Sequence, residues 1–120
     1  MSAKEIVKKF YKSDALIDGE VLKEFLHPEI IVEWNSSRGF VELDYKAVLE
    51  LSGELSKAYV RSKVRISHIV CENDMVSLRY SHYVKTIENP REEMLLAHFM
   101  VIWQIKDNKL FRGYQMSQLS

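Results

Sequence analysis

Two histidines, His82 and His98, stand in the two most strand-like stretches of this chain, and Tyr11 stands on the apolar side of its first helical stretch. Imidazole titrates closest to neutrality, so it can move a proton or ligate a metal at physiological pH. A tyrosine in apolar surroundings carries a hydroxyl that can donate into a pocket. These three are the candidates for catalysis. A metal would need a third ligand, with Glu33 the available acid, but no helical or loop spacing of a metal-binding kind accompanies the histidines. No metal and no cofactor is therefore expected. The lone cysteine, Cys71, excludes an intramolecular disulfide and has no His or Lys neighbour to favour a thiolate. His27 and His68 read as helix-end or surface residues.

Whether the two histidines cooperate depends on strand register. Asp107-Asn108 suits a two-residue hairpin loop. It would pair Trp103 with Arg112, Val101 with Tyr114 and Phe99 with Met116 on one face. The other face would pair Ile102 with Gly113, Met100 with Gln115 and His98 with Ser117. A turn centred on Pro90 sets His82 opposite His98, on the face of Tyr80, Met100 and Gln115. A loop longer or shorter by one residue would separate the two imidazoles, because side chains alternate with period two.

The elements that must hold these residues fall into two halves. Ser2 and Glu5 have capping-box spacing, and Ile6, Val7, Phe10 and Tyr11 mark one buried helix face that continues to Leu16 and Ile17. Asp18-Gly19 starts a second helix with Val21, Leu22, Phe25 and Leu26, which Pro28 ends. Ile30 to Trp34 is strand by its β-branched content. Asn35 to Gly39 is a loop, and Phe40 to Leu43 a short strand. Asp44 caps a third helix through Tyr59. From Arg61 the period becomes two: Val64, Ile66, His68 and Val70, then Val76, Leu78, Tyr80, His82 and Val84. Met94 to Ile105 is apolar on both faces, and a last strand runs from Lys109 to about Gln118. Helices followed by an antiparallel meander predict an α+β fold, three helices on one side of a curved sheet.

The 120 residues fit one domain over residues 1–120, with 47% hydrophobic and 28% charged side chains, ordinary for a globular protein. Lys plus Arg balance Asp plus Glu at 17 each, which argues against nucleic acid and anionic membrane surfaces. No apolar run is long enough to cross a bilayer, and the first residues lack a signal-peptide pattern. A cytoplasmic place is the expectation. The doubly apolar stretch around Val101 suggests that the outer sheet face, with Phe99, Val101, Trp103, Tyr114 and Met116, meets a second copy in a homodimer.

The run from Leu16-Ile17-Asp18-Gly19 to Phe25-Leu26-His27-Pro28-Glu29-Ile30-Ile31-Val32-Glu33-Trp34, with the closing Val101 to Leu110 hairpin, resembles the nuclear transport factor 2-like superfamily. The likeness is to its SnoaL-like and ketosteroid-isomerase-like branch and covers essentially the whole chain. It implies a cone-shaped roll, a pocket inside the curved sheet and usually a homodimer. Of the isomerase chemistry, the position of the general base matches Trp34 and that of the late-strand acid matches Met100. Only the tyrosine has a counterpart, Tyr11. An Asp-Arg-Asp constellation of the epoxide-hydrolase variant is also missing around Arg65, Arg79 and Arg112.

The leading expectation is a protein that binds a small apolar or cyclic molecule in a pocket lined by Tyr11, Trp34, Tyr80, His82, His98, Met100 and Gln115. The rival is a cyclase or isomerase with His82 or His98 as general base on an acidic C–H. A third possibility is a dimeric scaffold with a filled interior.

Overall fold

The computed structural model describes residues 1–120, and its helices begin where side-chain oxygens take up free backbone N–H groups. Ser2 accepts from the Glu5 N–H at 3.2 Å before α1 (Ala3–Lys12). Asp18 caps α2 (Gly19–Lys23), and Asp44 accepts from the Ala47 N–H at 2.9 Å before α3 (Tyr45–Ala58). α1 ends before its apolar pattern does. Ser13 bonds back to the last turn, its hydroxyl donating to the Phe10 carbonyl at 2.6 Å, so Leu16 and Ile17 lie in a turn.

The strands are β1 (Leu26–Ser36), β2 (Gly39–Leu43), β3 (Tyr59–Glu72), β4 (Met75–Thr86), β5 (Met94–Lys106) and β6 (Lys109–Leu119). They form one six-stranded sheet in the order β2-β1-β6-β5-β4-β3, antiparallel throughout except for the parallel β1–β6 pair. The sheet is curved, and the three helices pack on it, the α+β architecture expected. Leu26 and Pro28 belong to β1 and not to the second helix. The β1–β6 pairing is interrupted between Leu26 and Ile31, and the missing N–H of Pro28 falls in that gap. No helix is long and apolar enough to cross a membrane.

β4 follows the alternation read from its residues: Val76, Leu78, Tyr80, His82 and Val84 are all buried. The core joins Ile6, Val7, Phe10 and Tyr11 of α1 to this inner face and to Val101, Trp103 and Leu110. At about 25 cal/mol per Å² of apolar surface removed from water, that junction is what holds helix to sheet.

The last hairpin corrects the expected faces. Asp107 and Asn108 have φ of 54° and 59°, the left-handed pair of a type I′ turn, and Ile105 faces Leu110 as expected. The register then shifts between Gln104 and Ile105. Trp103 consequently faces Gly113, Val101 faces Gln115 and Phe99 faces Ser117. Phe99, Val101 and Trp103 lie opposite the buried Tyr80, Leu78 and Val76 of β4 and so turn inward, with Val101 and Trp103 themselves buried. The outer face instead carries Met100, Ile102, Tyr114 and Met116, which are 58%, 42%, 40% and 65% exposed. Tyr114 and Met116 alone of the expected outer set remain there. Gly113 makes the inward indole possible, since a Cβ on it would lie 2.5 Å from Trp103 Cζ3.

A second shift, between His82 and Tyr83, sets His82 opposite Ala97 and His98 opposite Ser81. The two imidazoles leave the sheet on opposite sides.

Candidate functional site: an aromatic-walled cavity

A cavity of about 280 Å³ lies between the inner sheet face and the helices. The sheet contributes Trp34 from β1, Tyr80 and His82 from β4, Ala97 and Phe99 from β5, and Gln115 and Ser117 from β6. Leu51 and Leu55 of α3 and Leu16 of the turn after α1 cover it. Ser36, Ser37 and Arg38, around the β1–β2 turn, also line it, and no aspartate or glutamate does.

The wall is a row of rings set by strand pairing. Tyr80 and Phe99 are directly opposed on β4 and β5, with centroids 4.9 Å apart and planes 8° apart. Trp34 continues the row at 6.3 Å and 29° from Phe99. Its indole N–H donates to Ser117 Oγ at 2.8 Å, which fixes the ring against the parallel strand. Aromatic stacks of this kind add about 0.5–1.5 kcal/mol beyond burial alone, so the wall is a stiff one.

His82 is the deep polar group. It is 4% exposed, and its Nε2 lies 2.6 Å from Ser62 Oγ on β3. Burial pushes its pKa down to about 4, so the ring is neutral at pH 7. Nε2 is its one hydrogen-bonded nitrogen, and since no fully buried side-chain nitrogen or oxygen lacks a partner, Nδ1 keeps some open surface on a residue that lines the cavity. Depending on which way the Ser62 hydroxyl points, Nδ1 is a donor or an acceptor toward whatever fills the space.

The other expected residues fall elsewhere. The Tyr11 hydroxyl accepts from Trp103 Nε1 at 2.9 Å, and Tyr11 lines a smaller space of about 80 Å³ that adjoins the cavity and shares Tyr80 and Gln115 with it. Burial pushes its pKa up to about 12 and that of Tyr80 well above its usual value, so both phenols stay protonated. His98 is exposed on the outer face with Nδ1 3.0 Å from Ser81 Oγ, and Met100 is exposed beside it. Trp34, Tyr80, His82 and Gln115 thus share the cavity, whereas His98 and Met100 do not reach it. No three His, Cys, Asp or Glu side chains converge anywhere as metal ligands. Phe99, Ser62 and Arg38 are additions that the sequence reading missed. Only the glycine at position 113 signalled the inward turn of β5.

A scan against protein-family models matches none, and a search of curated proteins matches none. Solved structures match over nearly the full chain. IdmH of Streptomyces antibioticus, a candidate polyketide cyclase, is 13% identical with a TM-score of 0.76 over 98% of this chain and 92% of that one. A candidate SnoaL-like polyketide cyclase from Jannaschia sp. CCS1 is also 13% identical, with a TM-score of 0.71 over 96% and 84%. A ketosteroid isomerase-like protein of Catenulispora acidiphila, in complex with trimethylamine, is 9% identical with a TM-score of 0.71 over 92% and 83%. The chain therefore has the fold that these SnoaL-like and ketosteroid isomerase-like structures share.

Proposed function

We propose that this chain, as one domain of 1–120, binds a small, largely apolar, ring-containing molecule between the Trp34–Phe99–Tyr80 wall and α3. The observation that carries it is a ligand-sized space, about 280 Å³, with an aromatic wall and one deep, uncharged imidazole. Small-molecule sites are concave and mostly apolar, with a few polar groups that set orientation. That the Catenulispora protein was solved with a bound small molecule supports the same use of the fold.

Enzymatic cyclisation or isomerisation is the second reading, favoured by the 2.6 Å contact that orients His82 through Ser62. General bases work best with a pKa near the working pH. His82, at about 4, is a weak one, and no carboxylate lines the cavity. Binding therefore leads. Its test is N-phenyl-1-naphthylamine, a neutral aromatic probe that fluoresces in apolar surroundings. It should bind the native protein and be lost in Ala97→Phe, which fills the space beside His82. Equal binding to both proteins contradicts the proposal.

The partner proposed for the outer face is a second copy, meeting it at Met100, Ile102, Tyr114 and Met116, too apolar together to favour water. A cytoplasmic place is proposed, with which an exposed and unpaired Cys71 is compatible.

A further inference from the structure

Arg38 is the one charged residue among those lining the cavity. It stands in the β1–β2 turn, where Ser36 Oγ accepts from its backbone N–H at 3.2 Å. Its guanidinium has neither an ion-pair partner nor a side-chain hydrogen bond. Arg65 pairs with Glu93, Arg79 donates to Ser67 and Arg112 donates to the Glu29 carbonyl; Arg61 and Arg91 are unpaired like Arg38, but only Arg38 lines the cavity. Five donors at Arg38 are thus left for something outside the chain. The Ser36 and Ser37 residues line the same part of the cavity.

The deep end of the cavity, around Tyr80, His82 and Phe99, offers an anion no cationic partner, since its walls are mostly apolar and its imidazole is neutral. An acidic head group would therefore stay at the Arg38 end while its apolar body lay along the aromatic wall. Guanidinium suits this task because its planar fork matches the two oxygens of a carboxylate or sulfonate and is weakly hydrated. Resting on the cavity proposed above, we propose that the ligand is an amphipathic organic acid whose anionic group is held by Arg38 and whose ring system fills the cavity.

A matched pair of probes tests this. 8-Anilinonaphthalene-1-sulfonate has the skeleton of N-phenyl-1-naphthylamine with a sulfonate added. At low salt the native protein should bind the sulfonate about fivefold more tightly, an exposed pair being worth up to about 1 kcal/mol. Rising ionic strength should erode the preference. Arg38→Met should abolish it while leaving the neutral probe within about twofold, and Arg38→Lys should keep part of it. Neutral-probe binding reports that each variant is folded with its cavity intact. No preference in the native protein, or one unchanged in Arg38→Met, overturns the assignment of the acid and leaves the cavity standing. Failure of both probes to bind, or binding that survives Ala97→Phe, overturns the cavity as well.

Discussion

His82 and Ser62 stand on adjacent strands with the imidazole Nε2 2.6 Å from the serine hydroxyl, in a place dry enough to keep the ring uncharged. The unfolded chain takes up its proton near pH 6.5, the folded one near 4. Between those values the unfolded state holds the extra proton, so stability from this group is full above about 6.5 and is lost as pH falls toward 4. The loss is about 3 kcal/mol. Urea unfolding at pH 7.5 and 4 should show native protein losing about that much more than His82→Gln. Parallel losses in the two proteins would contradict a buried neutral imidazole.

Gly113 and Gly53 should respond oppositely to alanine. A methyl at 113 meets the Trp103 ring at 2.5 Å and must push a buried indole that donates to Tyr11. Gly113→Ala should cost about 1–3 kcal/mol in chemical denaturation. Gly53 lies within α3, with nothing within 4 Å of a Cβ there. Gly53→Ala should gain up to about 1 kcal/mol from helix propensity. A tolerated alanine at 113 would mean that the Trp103–Gly113 register is wrong.

The outer face predicts its own disruption. Met100 and Met116 are directly opposed and both exposed, so Met100→Glu with Met116→Glu puts two like charges at its centre. Sedimentation should find the native chain dimeric and the double variant monomeric, with unchanged far-UV circular dichroism. Trp103→Glu would instead unfold the core, because Trp103 faces inward. A double variant that sediments like the native chain removes this face as the interface.

Cavity residues and outer residues should separate in binding. Trp34→Ala takes one ring from the wall and should weaken N-phenyl-1-naphthylamine about tenfold. His98→Ala should change nothing, since His98 lies across the sheet. Fluorescence titration of both variants decides it, and a strong His98 effect would contradict the observed register.

How much of this was legible depended on whether each segment alternated. β4 reads cleanly because Val76, Leu78, Tyr80, His82 and Val84 are separated by Ser77, Arg79, Ser81 and Tyr83, and every one of the five is buried. The helix starts were equally plain, since Ser2, Asp18 and Asp44 carry the capping chemistry in their side chains. β5 has no such contrast. Phe99 and Met100, or Val101 and Ile102, satisfy either face, so its direction hung on counting from the turns. The shifts at Gln104/Ile105 and His82/Tyr83 each break that count by one residue. Such bulges leave little trace in composition, and one is enough to carry His98 and Met100 out of the cavity. Arg38 was invisible for another reason: a turn residue gains its meaning only from what the fold places beside it.

The cavity is tested most directly by a two-dimensional NMR titration with N-phenyl-1-naphthylamine, because the two indoles report on different places. Trp34 lines the larger cavity, and Trp103 lies behind it against Tyr11. Saturable shifts of the Trp34 indole N–H and the His82 ring, with probe-to-Phe99 cross-peaks, are the expected result. Shifts confined to Met100, Tyr114 and Met116 would contradict it.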